Sequence, residues 1–438
     1  MPLPKLLSLS VSRFPRAQST LSAIRDWMWP SSVRAASTWG GEIRCWVDFT
    51  CEFDLNPGIQ RVTRSLARGL EELGHSITYL AWSDSEQAPR SCTRRQLRNL
   101  SRWNGPSHRR VRGQINSRLG IDAQRGGWLL VPELTYWRMR NGRQEPWNSD
   151  PMVMLLQYAR AHNLKTAFLF YDLIPIRFPS YAILKQLHER YVKQLAHADL
   201  ILPISRFAGS DLMQYFAEIR GDTGPEITPL LLAEEFLGFR RATKYDPPRS
   251  GPVTIMCVGR VEPRKNQVRL IEAFNLFCDE QPTVDVRLYL VGTISDESRD
   301  EIIAISRRNR RIELMGPMAD SQMVDLYGRC HFTAFPSIAE GYGLPIVESL
   351  WLGRPCLCAN FGAMAEVAAG GGCLTVDTRS VSAIKNGLAR MILDPTLRES
   401  LAADAIGRPM STWRDYAAGL LAILRSETSG APPIPIGN

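Results

Sequence analysis

Short apolar runs alternate along most of the chain with segments whose apolar positions recur at helical spacing, the pattern of βα units around a parallel sheet. The first series predicts a strand over 42–49, a turn at Asn56-Pro57-Gly58 and a helix over 59–73 with Val62, Leu66 and Leu70 on one face, stopped by Gly74. Further strands are predicted at 77–82, 128–131, 166–171 and 200–202, with helices near 152–162, 183–196 and 206–216. Between 221 and 251 the pattern gives way to Gly224-Pro225, Pro229, Pro247-Pro248 and Pro252, which reads as a linker. The series then restarts, with strands at 253–258, 286–291, 311–314 and 332–335 and helices near 267–278, 297–307 and 321–327.

The expected class is therefore α/β, built as two Rossmann-like domains facing across a cleft. The divisions are an N-terminal extension over 1–40, a first domain over 41–235, a linker over 236–252 and a second domain over 253–410. A helix over 411–425 with Trp413 and Tyr416 is expected to cross back, and 426–438 to be a disordered tail. Length agrees, since 438 residues exceed what one hydrophobic core usually organises.

Composition changes this picture little. An apolar share of 44% and a charged share of 22% are those of folded globular domains. No run approaches the roughly 18 apolar residues of a membrane span, and 1–40, with Arg13, Arg16, Arg25, Arg34 and Trp27-Met28-Trp29, reads either as a poorly ordered start or as an interfacial or transit-like segment. The nine cysteines form no CxxC pair and no zinc-type spacing with the six histidines, so no metal site is expected and a reducing cytoplasm fits. Charge is more informative. Residues 83–125 hold ten arginines against Asp84, Glu86 and Asp122, a local net of +7 within a chain of net +9. That stretch reads as a solvated insertion or as a surface for anionic membranes or phosphorylated carriers. Nucleic acid is disfavoured, because Trp103 is its lone aromatic and no recognition motif accompanies it.

Two segments carry chemistry. Glu340-Gly341-Tyr342-Gly343-Leu344-Pro345-Ile346-Val347-Glu348 follows the predicted strand 332–335. Its glycines let backbone amides approach a ligand, Pro345 suits the first turn of a helix, and that helix start offers donors to an anion. Glu340 and Glu348 flank the glycine-rich rim as acceptors for sugar or ribose hydroxyls. The second segment, Val258-Gly259-Arg260-Val261-Glu262-Pro263-Arg264-Lys265-Asn266, leaves the first strand of the second domain. There Arg260 and Lys265 are placed to clamp a diphosphate and to neutralise a departing nucleotide without a metal, with Arg264 the most easily dismissed as a surface residue.

These two segments resemble those of family 4 glycosyltransferases, retaining enzymes of the GT-B fold, over residues 42–425. The resemblance implies that Glu340 and the amides of Gly341, Tyr342, Gly343 and Leu344 contact the donor sugar and phosphates, that Glu348 holds the ribose, and that Arg260 and Lys265 bind the diphosphate beside Gly259. In the first domain, Gly58 at a helix start, Arg61 in its first turn facing the cleft, and Tyr171-Asp172-Leu173-Ile174-Pro175 resemble bacterial mannosyltransferases that build O-antigen and exopolysaccharide. The histidine that many family members carry near Tyr171 or Asp172 is missing, which leaves Asp172 and the leaving phosphate as rival bases. The implied activity is retaining, cofactor-free transfer of mannose from GDP-mannose to a hydroxyl of a lipid-linked or growing polysaccharide acceptor, in the cytoplasm or on the inner membrane face. A UDP-hexose or dTDP-rhamnose donor, and a non-catalytic scaffold of the same fold, are the alternatives.

Overall fold

The computed structural model describes residues 41–103, 105–106, 110–112, 127–147, 150–178, 181–221 and 224–429. The expectations for 1–40, and for most of 107–126 and 430–438, fall outside the described residues. Two sheets organise the chain. The first runs β1 (Glu42–Trp46), β2 (Ile77–Ser83), β3 (Ala88–Ser91), β4 (Gly127–Val131), β7 (Leu164–Phe170), β8 (Leu200–Pro203) and β9 (Glu226–Ile227) in the spatial order β3-β2-β1-β4-β7-β8-β9. All its pairs are parallel except β2 with β3. Between β4 and β7 a separate hairpin, β5 (Trp137–Arg140) with β6 (Arg143–Pro146), stands off the sheet.

The second sheet is wholly parallel, in the order β12-β11-β10-β13-β14-β15, from β10 (Val253–Val258), β11 (Val286–Val291), β12 (Ile312–Met315), β13 (Phe332–Phe335), β14 (Cys356–Ala359) and β15 (Cys373–Val376). This is the doubly wound arrangement, and its strand order reverses between β10 and β13, where a crevice opens beyond the carboxyl ends. Helices cover both faces, so inner strands such as β13 and β14 are buried throughout, as parallel sheets require, while the outer strands β12 and β15 are only half-buried.

Several elements depart from their predicted bounds for visible reasons. The strand over 42–49 stops at Trp46, because Glu133 accepts from the amides of Phe49 (2.8 Å) and Thr50 (3.0 Å) and turns the chain into a short helix, Asp48–Glu52. The basic stretch 83–125 is not simply an insertion: its first part supplies β3 and a helix, Arg94–Leu100, closed by a Thr93–Gln96 capping box. The final helix runs Trp413–Ser429, so residues 426–429 are helical rather than a disordered tail. It starts at Trp413 because Thr412 and Asp415 exchange amide bonds, 2.9 and 3.2 Å. The expected crossing is made by its first turns. A Cβ on Gly69, in the helix Gly58–Glu72, would lie 2.3 Å from the Trp413 carbonyl, and Glu235 accepts from both Arg68 (2.6 Å) and the Trp413 amide (2.9 Å). Residues 41–421 pack as one compact unit. No helix among the described residues is long and apolar enough to cross a membrane.

Candidate active site

The site is assembled where β10 and β13 end. Beyond β10 the chain is pressed against the exit of β11: a Cβ on Gly292 would lie 2.3 Å from the Gly259 carbonyl. A 3-10 turn, Pro263–Lys265, then turns Arg264 and Lys265 toward the loop after β13. There Glu340 accepts from Lys265 Nζ (2.6 Å), Arg264 Nη1 (2.7 Å) and Ser337 Oγ (2.7 Å). Burial pushes the Glu340 carboxyl up, but Lys265, Arg264 and the Ser337 hydroxyl more than reverse this and hold it at about 2. Arg260 stands exposed at the rim, and Arg264, the basic residue most easily dismissed as a surface one, is the second cation on Glu340. Arg264 also donates to Glu262 (2.7 Å), the Ala339 carbonyl (2.5 Å) and the Tyr181 hydroxyl (3.2 Å), which leaves only 12% of its side chain exposed.

The glycine-rich loop follows. Gly343 has φ +117°, in the region that favours glycine, and opens the helix Leu344–Trp351 with Pro345 in its first turn. Gly341 is wedged: a Cβ there would lie 2.3 Å from the Tyr171 carbonyl and 3.1 Å from Asp172 Oδ2, while Ser205 Oγ donates to the Gly341 carbonyl at 2.7 Å. Tyr342 turns its side chain away from the crevice, its hydroxyl donating to the Leu232 carbonyl (2.8 Å), so its backbone alone belongs to the rim. Leu344 lies 3.9 Å from the position a Cβ on Gly58 would take, which brings the start of the helix Gly58–Glu72 to the rim. From the next turn of that helix Arg61 pairs with the buried Glu348 carboxylate, and its guanidinium lies over the Phe236 ring, 5.6 Å from the centroid.

Asp172, at the exit of β7, accepts from the Ile174 amide (2.9 Å). Burial raises its carboxyl to about 6 against the opposing pull of Arg264. His188, on the helix Ala182–Leu195, lies with Nε2 2.9 Å from the Asp172 carbonyl, which can only accept, so Nε2 carries the proton. Burial lowers His188 to about 4, so it is an uncharged positioning group at neutral pH. Sequence reasoning set the histidines aside; His188 enters the site from a helix, sixteen residues after Asp172. Ser205 and Ser337 were likewise missed, and only the strand-exit position of Ser337 hinted at it. Beyond β10, β11 and β12 a further cavity of about 310 Å³ is lined by Val261, Thr293, Ile294, Arg299 and Met315.

Residues 241–408 match the family model of glycosyl transferases group 1. The second half of the chain is a group 1 glycosyltransferase domain. The enzyme class is accordingly that of the glycosyltransferases; Glu340, Lys265 and the glycine-rich loop lie inside the matched residues, and Gly58, Arg61, Asp172 and Ser205 outside them. The chain is 26% identical over 363 residues to O-antigen chain mannosyltransferase B of Escherichia coli, covering 78% of this chain and 87% of that one. It is 29% identical over 196 residues to D-inositol 3-phosphate glycosyltransferase of Rhodococcus opacus, covering 43% and 44%. Among solved structures, sucrose-phosphate synthase from Thermosynechococcus elongatus superposes with a TM-score of 0.63 at 14% identity, over 89% of this chain and all of that one. Anabaena HepE in complex with UDP and glucose gives a TM-score of 0.54 at 14% identity, over 90% of this chain and all of that one. The fold of the glycosyltransferase is GT-B, two Rossmann-like halves of which the second carries Glu340, Lys265 and the glycine-rich loop.

Proposed function

We propose that this glycosyltransferase moves mannose from GDP-mannose, with retention and without a metal, onto a hydroxyl of a lipid-linked or growing polysaccharide acceptor. The observation that carries the reading is the grip of Lys265, Arg264 and Ser337 on Glu340 at the switch point, directly against Gly341 and Asp172. A carboxylate fixed in its ionised form accepts hydrogen bonds from sugar hydroxyls. Lys265, the exposed Arg260 and the amides opening the helix Leu344–Trp351 supply positive charge where a nucleoside diphosphate departs. Glu348 takes the ribose once Arg61 yields it, and Asp172, at about 6, is poised to accept or steer the acceptor proton in competition with the leaving phosphate. Support for mannose and for a polysaccharide acceptor comes from the O-antigen relative. Work at the inner face of a membrane fits a lipid-linked acceptor and the arginines of 83–125.

The test is thermal stabilisation and sugar release with GDP-mannose, GDP-fucose, UDP-glucose, UDP-N-acetylglucosamine and dTDP-rhamnose, repeated in Glu348→Ala. Stabilisation by GDP-mannose that disappears in the variant is the expected result. Stabilisation by a different donor keeps the class and overturns mannose; no response to any donor overturns the transfer reading.

A further inference from the structure

Arg61 and Glu348 stand on opposite sides of the crevice, one in the first turn of the helix Gly58–Glu72 and the other in the helix Leu344–Trp351. Their pair is held by little else. Arg64, three residues further along the same helix, donates to the carbonyls of Leu55 (2.7 Å), Thr50 (3.1 Å) and Phe53 (2.5 Å) and to the Asn56 side chain (3.0 Å). Arg61 has a single acceptor among the described residues, Glu348 Oε1, and its buried Nε has none. It is also a cation at the positive end of a helix dipole, with no acidic residue in that first turn to offset it. A guanidinium so held is placed to leave.

A second carboxylate lies beside it. The Phe236 ring is under the Arg61 guanidinium, 5.6 Å from the centroid, and packs on Tyr327 of the helix Asp320–Arg329 with centroids 6.2 Å apart. Asp320 opens that helix; burial lifts its carboxyl, and the nearby Arg61 opposes the lift. The flat face of Phe236 lets the guanidinium turn from one carboxylate to the other while keeping its ring contact.

Glu348 has two claimants. Its side chain is 5% exposed, so few approaches to it are open. The two neighbouring hydroxyls of a ribose pair with both oxygens of one carboxylate, and Arg61 Nη1 occupies Oε1. We infer that Arg61 is a gate on the donor site: a nucleotide enters by exchanging its ribose for Arg61 on Glu348, and Arg61 passes to Asp320. The inference rests on the reading of Glu348 as the acceptor of the donor's ribose. It gives Arg61 the opposite sign to a phosphate-binding cation, since its removal tightens nucleotide binding instead of weakening it. Apparent affinity is lowered by the fraction of molecules in which Glu348 is free.

The test is calorimetric binding of GDP, UDP and inorganic pyrophosphate to the wild type, Arg61→Gln and Asp320→Asn. Arg61→Gln is expected to bind the nucleotide at least about fivefold more tightly, while pyrophosphate, which has no ribose, gains nothing. Asp320→Asn removes the place to which Arg61 moves, so it is expected to weaken nucleotide binding and to have no effect in the Arg61→Gln background. Unchanged or weaker nucleotide binding by folded Arg61→Gln overturns the gate and leaves the donor reading standing, as does an equal gain for pyrophosphate. Should Arg61→Gln fail to fold, Asp320→Asn decides: nucleotide binding that is unchanged or tighter overturns the gate. Absence of nucleotide binding in the wild type and Arg61→Gln alike sinks the donor reading, and the gate with it.

Discussion

Glu340 keeps only 11% of its side chain exposed while accepting from Lys265, Arg264 and Ser337, and this fixes its response to acid. Its carboxyl sits at about 2 in the folded protein against an ordinary 4.5, so the unfolded chain takes up the proton first as pH falls. The stabilisation is fully present above about pH 4.5 and is lost as pH drops through about 2, with a size of about 3 kcal/mol. Urea midpoints taken from pH 6 downward should therefore fall more steeply for the wild type than for Glu340→Gln, which lacks the titrating group. At neutral pH the variant strands two cations and should be less stable by about 3 kcal/mol. The sequence made Lys265 and Glu340 legible, since their spacing from strand ends is a local pattern. Arg264 was misread because its direction is set by a 3-10 turn, Pro263–Lys265, that no periodicity announces.

Among elements, the loop from Glu340 to Gly343 is the one whose position is least free. The atom that a Cβ at Gly341 would strike is the Tyr171 carbonyl, backbone rather than a side chain that can swing aside. Gly341→Ala must displace the loop by a good part of an ångström. A misplacement of that order costs about a hundredfold in rate, and the expectation is that kcat/KM for transfer falls by about that factor with the protein still folded, checked by initial rates beside a circular dichroism melt. The inner strands of both sheets could be read from their apolar runs, whereas the short outer strands β3, β9 and β15 were not predicted, nor was the helix Asp48–Glu52: it exists because Glu133, from beyond β4, satisfies its first amides. The hairpin of β5 and β6 was equally hidden, its strands being short and largely polar.

At the scale of the molecule, the returning helix Trp413–Ser429 meets the helix Gly58–Glu72 at a point where only glycine fits, with 2.3 Å from the position of a Gly69 Cβ to the Trp413 carbonyl. Gly69→Ala should lower stability by about 1–3 kcal/mol, read as a shift in urea midpoint at constant slope, with the donor KM unchanged because Glu340 and Lys265 take no part in that contact. The two-sheet plan was plain in the sequence, because each half repeats the alternation of runs by itself. The seams between remote segments were not, since Ser205 against Gly341 or Glu235 against Trp413 leaves no mark in either segment's own pattern. One of those seams bears on how such enzymes diversify. The glycine-rich loop is gripped at Gly341 by the Tyr171 backbone and the Asp172 side chain and is tied by the Ser205 hydroxyl. The first half is therefore not a detachable module: one grafted from another enzyme would need a small hydroxyl-bearing residue just after its β8, or the recombinant would inherit a glycine-rich loop without that tie.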